Sequence, residues 1–318
     1  MNVWDEFLER IRTRKSQDIG PLSIAAGVEL DDAINKDPEK FITTAEDRAF
    51  YMFAQLMSTI APRHDSFEGM EDEAFYQKRK AWLASINNSC SNILAVDPHC
   101  TDAQTLQILS HDYAPERTFE LLDSHAAQSI SRRYISDAWD NIYARPSLRA
   151  RAAASRAMLE TARYSQAVRT CETLIHSDQA DHVGARYTLA LAYARLELEE
   201  KLEALEASYY HRGNAWFALA RIILLYKLDR MSAARRALQG FMRSYEAGPF
   251  LLIKPIYVET YLPVRPAFDQ GSFEEVAMAC VEAEPILMDT PDLIAWAQEQ
   301  DDFMEQAKSF ALDKGFEW

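Results

Sequence analysis

The sequence predicts an all-α fold: an array of stacked helical hairpins, an α-solenoid, with further helical segments on either side. Three observations carry the prediction. Residues 147–248 repeat one pattern three times, an apolar helix with a small residue near its centre, followed by a second helix. Those small residues, Ser155, Ala190 and Ala220, recur at steps of 35 and 30, close to the period of about 34 residues at which helix–turn–helix units stack. The 318-residue chain has only 9 glycines and is rich in Ala, Leu, Glu and Arg. That composition favours helix, and no β-branched run alternates as a strand would.

The three copies open on Ala152-Ala153-Ala154-Ser155, on Tyr187-Thr188-Leu189-Ala190 and on Trp216-Phe217-Ala218-Leu219-Ala220. A small side chain at the centre lets the two helices of a hairpin approach closely. Larger residues three or four positions away, such as Trp216, Leu219 and Ile223, fill the space on the same face. Ala167 and the Ala233-Ala234 pair give the partner helices a second small position. One hairpin cannot bury its apolar face alone, so the hairpins stack.

The flanks read in order. Residues 1–65 form an N-terminal helical segment, with helices at 2–15, 24–35 and 44–60. The third has a wide apolar face from Phe50, Tyr51, Phe53, Leu56 and Met57. Residues 62–72, with Pro62, Gly69 and several charges, are the best linker. Residues 73–146 hold further hairpins: a long helix at 75–96 closed by Asp97-Pro98, then a helix to about 109 capped by Thr101-Asp102-Ala103. One or two helices follow over 116–143, and Arg145-Pro146 breaks the chain before the repeats. Residues 249–318 change texture. Pro255, Pro263 and Pro266 mark an extended crossing segment over 250–268. Ser272-Phe273-Glu274-Glu275 opens a helix to about 283 in the manner of a capping box, and 291–314 is the last, acidic helix.

These residues resemble the tetratricopeptide repeat (TPR). The match rests on Asn214-Ala215-Trp216-Phe217-Ala218-Leu219-Ala220, on Tyr164 with Ala167 at the start of a second helix, and on Val96-Asp97-Pro98 at the end of another repeat. The chain departs from that pattern at Arg151, at Leu202 and in a shortened third repeat. A looser likeness over 76–296 is similar to a group of bacterial TPR proteins related to the suppressor-of-tumorigenicity TPR family. It runs through Asp137-Ala138-Trp139, Arg145-Pro146, Gly271-Ser272-Phe273 and Thr290-Pro291-Asp292. The resemblance implies an interaction or scaffold module whose first helices line a concave groove. Its lining would fall on Arg149, Ala152, Arg156 and Leu159; on Gly184, Tyr187, Leu191 and Ala194; and on Asn214, Phe217, Arg221 and Leu224. The implied partner-binding residues are Arg149, Arg156, Tyr187, Asn214, Phe217 and Arg221.

Charge points to the same class of partner. Residues 147–247 carry 15 Lys/Arg against 11 Asp/Glu, a balance of +4, between flanks of −9 and −10. Thirteen of those cations are Arg, whose planar fork suits carboxylates. The expected partner is therefore an acidic protein or peptide, or the chain's own acidic C-terminal region. The net charge of −15 argues against a nucleic-acid binder. No apolar run approaches the ~18 residues of a membrane span. The first helix, with acids among Trp4, Phe7, Leu8 and Ile11, differs from a secretory signal.

Four scattered cysteines read as reduced thiols of a cytoplasmic protein. Cys90, His99 and Cys100 lack the paired spacing of a zinc site. His176 and His182 read as surface residues, and Glu299, Asp301 and Asp302 as a solvated face. No nucleophile or phosphate-loop motif is present. The expectation is thus no enzyme, no cofactor and no metal. The alternatives are a self-associating oligomer, joined through an apolar edge after Phe241, and an enzyme using scattered acids such as Glu299 and Asp302.

Overall fold

The computed structural model describes residues 3–60, 72–129, 138–209, 214–255, 265 and 268–318. Every regular element among them is helical, and the helices pack in neighbouring pairs. The chain divides into two compact units, Met1–Ala150 and Arg151–Trp318.

The first unit follows α1 (Val3–Ile19), α2 (Ile24–Lys36), α3 (Ala45–Ile60), α4 (Asp72–Val96), α5 (Thr101–Ser110) and α6 (Pro115–Gln128), and takes in the start of α7 (Arg145–Glu160). α1 packs on α3, α3 on α4, α4 on α5 and α5 on α6. The segments 1–65 and 73–146 therefore belong to one unit. The expected linker lies outside the described residues except for Asp72, which opens α4. Phe7, Ile11, Phe53, Ile93, Leu106 and Leu122 are fully buried and form the core. The helical reading of 116–143 holds only in part. α6 stops at Gln128, a single 3-10 turn covers Ala138–Asp140, and 130–137 lie outside the described residues.

A charge cluster lies within this core. Arg149 donates through Nε and Nη2 to the Asp102 carboxylate at 2.7 and 2.6 Å. Through Nη1 and Nη2 it donates to Glu6 at 2.7 and 3.1 Å. Glu6 also accepts from Arg10 at 3.2 Å, and the Arg10 guanidinium lies 3.7 Å from the centroid of the Phe50 ring. Beside them Arg145 forks onto Glu9 at 2.7 and 3.0 Å. Burial by itself raises the Glu6 carboxyl, but Arg149, with Arg10 and Arg145, outweighs it and holds the group below the ordinary carboxylate range. Burial likewise disfavours a charged Arg149; Asp102 and Glu6 reverse the sign and push its pKa above the ordinary value. The expected cap, Thr101-Asp102-Ala103, lies inside α5: the N-cap is Cys100, with no side-chain bond, and the Asp102 carboxylate pairs with Arg149.

The second unit contains the three predicted hairpins: α7 with α8 (Tyr164–Ser177), α9 (Ala185–Arg195) with α10 (Glu199–Ser208), and α11 (Ala215–Lys227) with α12 (Met231–Ser244). Their turns are alike. Ala162, Glu197 and Asp229 take left-handed φ values of 58°, 59° and 56°. The next residue in each donates its N–H to a carbonyl five positions back: Arg163 to Met158, Leu198 to Tyr193 and Arg230 to Leu225. This is the Schellman closure, made three times without glycine.

The C-terminal reading needs three corrections. Residues 250–253 are not extended: they belong to α13 (Gly248–Ile253), with Pro249 in the first turn where it loses no helical bond. Gly248 is required there, since a Cβ would lie 2.4 Å from the Phe241 ring. Most of the remaining crossing segment lies outside the described residues. α14 (Phe273–Met288) is capped by Ser272 as expected, but continues past Ala283. The single last helix is two, α15 (Asp292–Gln298) and α16 (Phe303–Lys314), broken where Asp302 takes φ +64°. The break turns Phe310 onto Phe250 and Phe273, with ring centroids 5.6 and 6.0 Å away. The apolar edge expected after Phe241 is closed as well: Phe241, Met242 and Tyr245 are buried, and Gln306 of α16 donates to the Met242 carbonyl. Among the described residues no helix is long and apolar enough to cross a membrane.

Two outcomes follow for the first unit. Arg149→Met leaves two carboxylates buried without a counter-charge, which costs about 3–5 kcal/mol. Urea or thermal denaturation should show that loss, and adding Glu6→Gln and Asp102→Asn to the same chain should recover part of it. His125 of α6 is buried, its Nε2 3.0 Å from Thr105 Oγ1 and 3.2 Å from the Thr101 carbonyl. Burial pushes its pKa below the ordinary 6.5, so the unfolded chain binds the proton more readily. Stability should therefore fall as pH drops below about 6.5, levelling off beneath the folded pKa. His125→Gln should flatten that slope in pH-dependent melts.

Candidate functional site

α9 is buried almost all round: nine of its eleven residues, from Ala185 to Ala194, are buried. Its neighbours are α8, α10, α11 and α14. α11 buries Trp216, Phe217, Leu219, Ile223 and Leu224, and packs on α9, α12 and α14. The apolar floor of the predicted groove is thus closed within the unit, and α14, from the acidic C-terminal region, supplies part of the cover.

Polar contacts fix where α14 sits. Glu275, Glu282 and Asp289 follow one another at steps of seven, so they stay near one face of a helix. Each meets a donor from the repeats. Glu275 Oε1 accepts the Ala215 N–H at 2.9 Å, at the positive N-terminal end of α11, and its Oε2 accepts the Gly271 N–H at 2.6 Å. Glu282 accepts from Trp216 Nε1 at 2.7 Å and is forked by Arg265 at 3.0 and 2.8 Å. Asp289 accepts from Tyr164 Oη at 2.8 Å and from Arg195 at 3.2 Å. Burial and the acceptor Asp289 together push the Tyr164 phenol up to about 12.

Arg265 ties these parts together. It donates to the Gly184 carbonyl and, at 2.8 Å, to Thr188 Oγ1. Its guanidinium lies 5.1 and 5.9 Å from the centroids of Tyr187 and Trp216, which are themselves 4.7 Å apart. Glycine suits position 184: φ is +70°, and a Cβ would crowd Arg265 Nη1 and the Tyr187 ring at 3.1 Å. Arg186 lies 4.4 Å from the Tyr187 centroid on the same ring, and donates to Asp181 at 2.9 Å. Burial pushes the Asp181 carboxyl up, against the pull of Arg186 and two backbone N–H groups.

The six predicted partner-binding residues separate. Arg149 is a correction: it belongs to the first unit and is buried by Glu6 and Asp102, so it lines no groove. Asn214 is buried and accepts the Phe217 N–H at 3.2 Å as the N-cap of α11; Phe217 is buried too. Arg156 and Tyr187 are half-buried, and Arg221 is exposed and paired with Glu206. Arg156, Tyr187 and Arg221 keep accessible surface.

Sequence reasoning missed Arg265, Glu282 and Asp289, although signals were present. The three acids have a seven-residue spacing, and Arg265 is the lone cation between Lys254 and Lys308.

The four cysteines are buried, and burial pushes each thiol up to about 12. His182 is fixed by Asp178, its Nδ1 2.8 Å from the carboxylate. Among the described residues no group of three or more His, Cys, Asp or Glu is placed to hold a metal. No protein-family model, curated protein or solved structure matches the chain.

Two of the α14 contacts should differ in strength. Glu282 and Arg265 are both nearly enclosed, with side-chain exposures of 9% and 6%, so Glu282→Ala should cost about 3–5 kcal/mol in chemical denaturation. The Asp289–Arg195 pair is open, at 41% and 29%. Asp289→Ala should cost about 1 kcal/mol or less.

Proposed function

We propose that the protein is a non-catalytic interaction module, TPR-like in design, whose repeat surface recognises acidic segments of a partner. The observation that carries this reading is the register of α14. Three carboxylates at steps of seven each find a donor on the repeats: a helix N-terminus, an indole N–H, and a phenol with an arginine. A surface that reads carboxylates on its own helix has the chemistry to read them on another. α14 buries Val276, Met278, Cys280, Ala283 and Ile286, so it is integral to the unit and not easily displaced. A partner therefore meets what α14 leaves accessible, Arg156, Tyr187 and Arg221. The burial of all four thiols supports the non-catalytic part of the reading, and cysteines without a disulfide partner support a cytoplasmic setting, where thiols stay reduced.

A labelled helical peptide with glutamates at steps of seven on an alanine background tests it by fluorescence anisotropy. The full chain should bind, and weaken about tenfold or more as salt rises from about 0.05 to 0.3 M, because exposed pairs are screened. The Arg156→Glu/Arg221→Glu variant should lose binding at least about tenfold. Equal affinity for variant and wild type would sink the reading.

A further inference from the structure

We propose that the cleft between α4 and the turn closing α5 is a binding site for a planar heteroaromatic anion of nucleotide size. It belongs to the first unit and does not rest on the repeat-surface reading. The cleft has a volume of about 590 Å³, within the range of roughly 300–1,000 Å³ usual for small-molecule sites. Tyr76, Lys80, Leu83 and Asn87 line it along α4, at spacings that keep them on one helical face. His111 lines the other side.

The site offers a preformed platform for a flat ring. His111 stacks on Tyr113 with centroids 4.8 Å apart and planes at 21°, yet the imidazole remains exposed and borders the cleft. Tyr113 backs the ring, and the exposed imidazole is available to a flat ligand entering the cleft. Tyr76, 62% exposed, adds a second aromatic surface on the α4 wall. Buried Leu83 supplies an apolar contact below. Stacking of this kind accepts any flat π-face.

The charge is set for an anion. Lys78-Arg79-Lys80 is the one run of three consecutive cations in the chain, inside a region of net charge −9. Asp112 is the one carboxylate in the cleft lining, and Arg79 neutralises it with a fork at 2.7 and 3.0 Å. Lys80 is exposed and has no partner among the described residues, so it supplies the surplus positive charge. Asn88, also exposed and without a partner among them, offers an amide that both donates and accepts to the edge of a heteroaromatic ring. Ring on His111, edge on Asn88 and anionic group on Lys80 define the ligand class.

Calorimetric titration of the full chain with adenosine 5′-monophosphate, adenosine and inorganic phosphate tests the assignment. The monophosphate should bind saturably, and adenosine and phosphate should each bind at least about tenfold more weakly, since each lacks one of the two anchors. His111→Ala and Lys80→Glu lie on the surface and should leave the melting curve unchanged, while each lowers monophosphate affinity at least about tenfold. The Arg156→Glu/Arg221→Glu variant should bind the monophosphate as wild type does, which separates this site from the repeat surface. No saturation by about 10 mM monophosphate, phosphate alone binding as tightly, or unchanged affinity in the His111→Ala/Lys80→Glu double variant would each overturn the proposal.

Discussion

Most of the buried charges among the described residues stand within hydrogen-bonding distance of an opposite charge, and such pairs organise both units. In the first, Arg149 takes four carboxylate contacts from Glu6 and Asp102, and Arg10 balances the remaining charge. The pairing joins residues 143 and 47 positions apart, so it ties α1, α5 and the start of α7 together. In the second, Arg265 with Glu282 and Arg186 with Asp181 do the same work beneath an aromatic cover of Tyr187 and Trp216. Apolar burial supplies the larger driving force but is indifferent to which side chain meets which. A buried guanidinium is not indifferent, since a mispaired one leaves an uncompensated charge.

The helical repeats show how far a pattern can be conserved in geometry while varying in sequence. Ala, Glu and Asp occupy the same left-handed position in three successive turns, and the same backbone bond closes each. What distinguishes this array is the closure of its inner surface. α9 is buried along nearly all of its surface, and α14 lies against α9 and α11 with its carboxylates already matched. What remains accessible on the repeats includes the charged and aromatic side chains of Arg156, Tyr187 and Arg221.

Much of the fold was legible in the sequence. Helical periodicity located α1 to α6, the small residues at steps of 35 and 30 located the hairpins, and Ser272 marked the start of α14. Much less of the site was legible. Arg149 and Arg221 look equivalent as arginines on first helices, yet one is enclosed by two carboxylates and the other is exposed beside Glu206. Asp102 looks like a helix cap and is an ion-pair partner. Asp302 has no sequence mark of a helix break, because the break is imposed by the need to bury Phe310 among the rings of Phe250 and Phe273.

The sequence by itself determined that the chain is helical, where most helices begin, and that a weakly basic array lies between acidic flanks. These follow from local periodicity, propensity and composition, which need only near neighbours. Only the tertiary structure decided which charges are spent internally and which remain on the surface. It placed Arg149 inside, set Glu275, Glu282 and Asp289 against the repeats, and left Lys80 beside a stacked His111. Pairing of this kind depends on contacts between residues tens to hundreds of positions apart, and no local pattern encodes the distance between them.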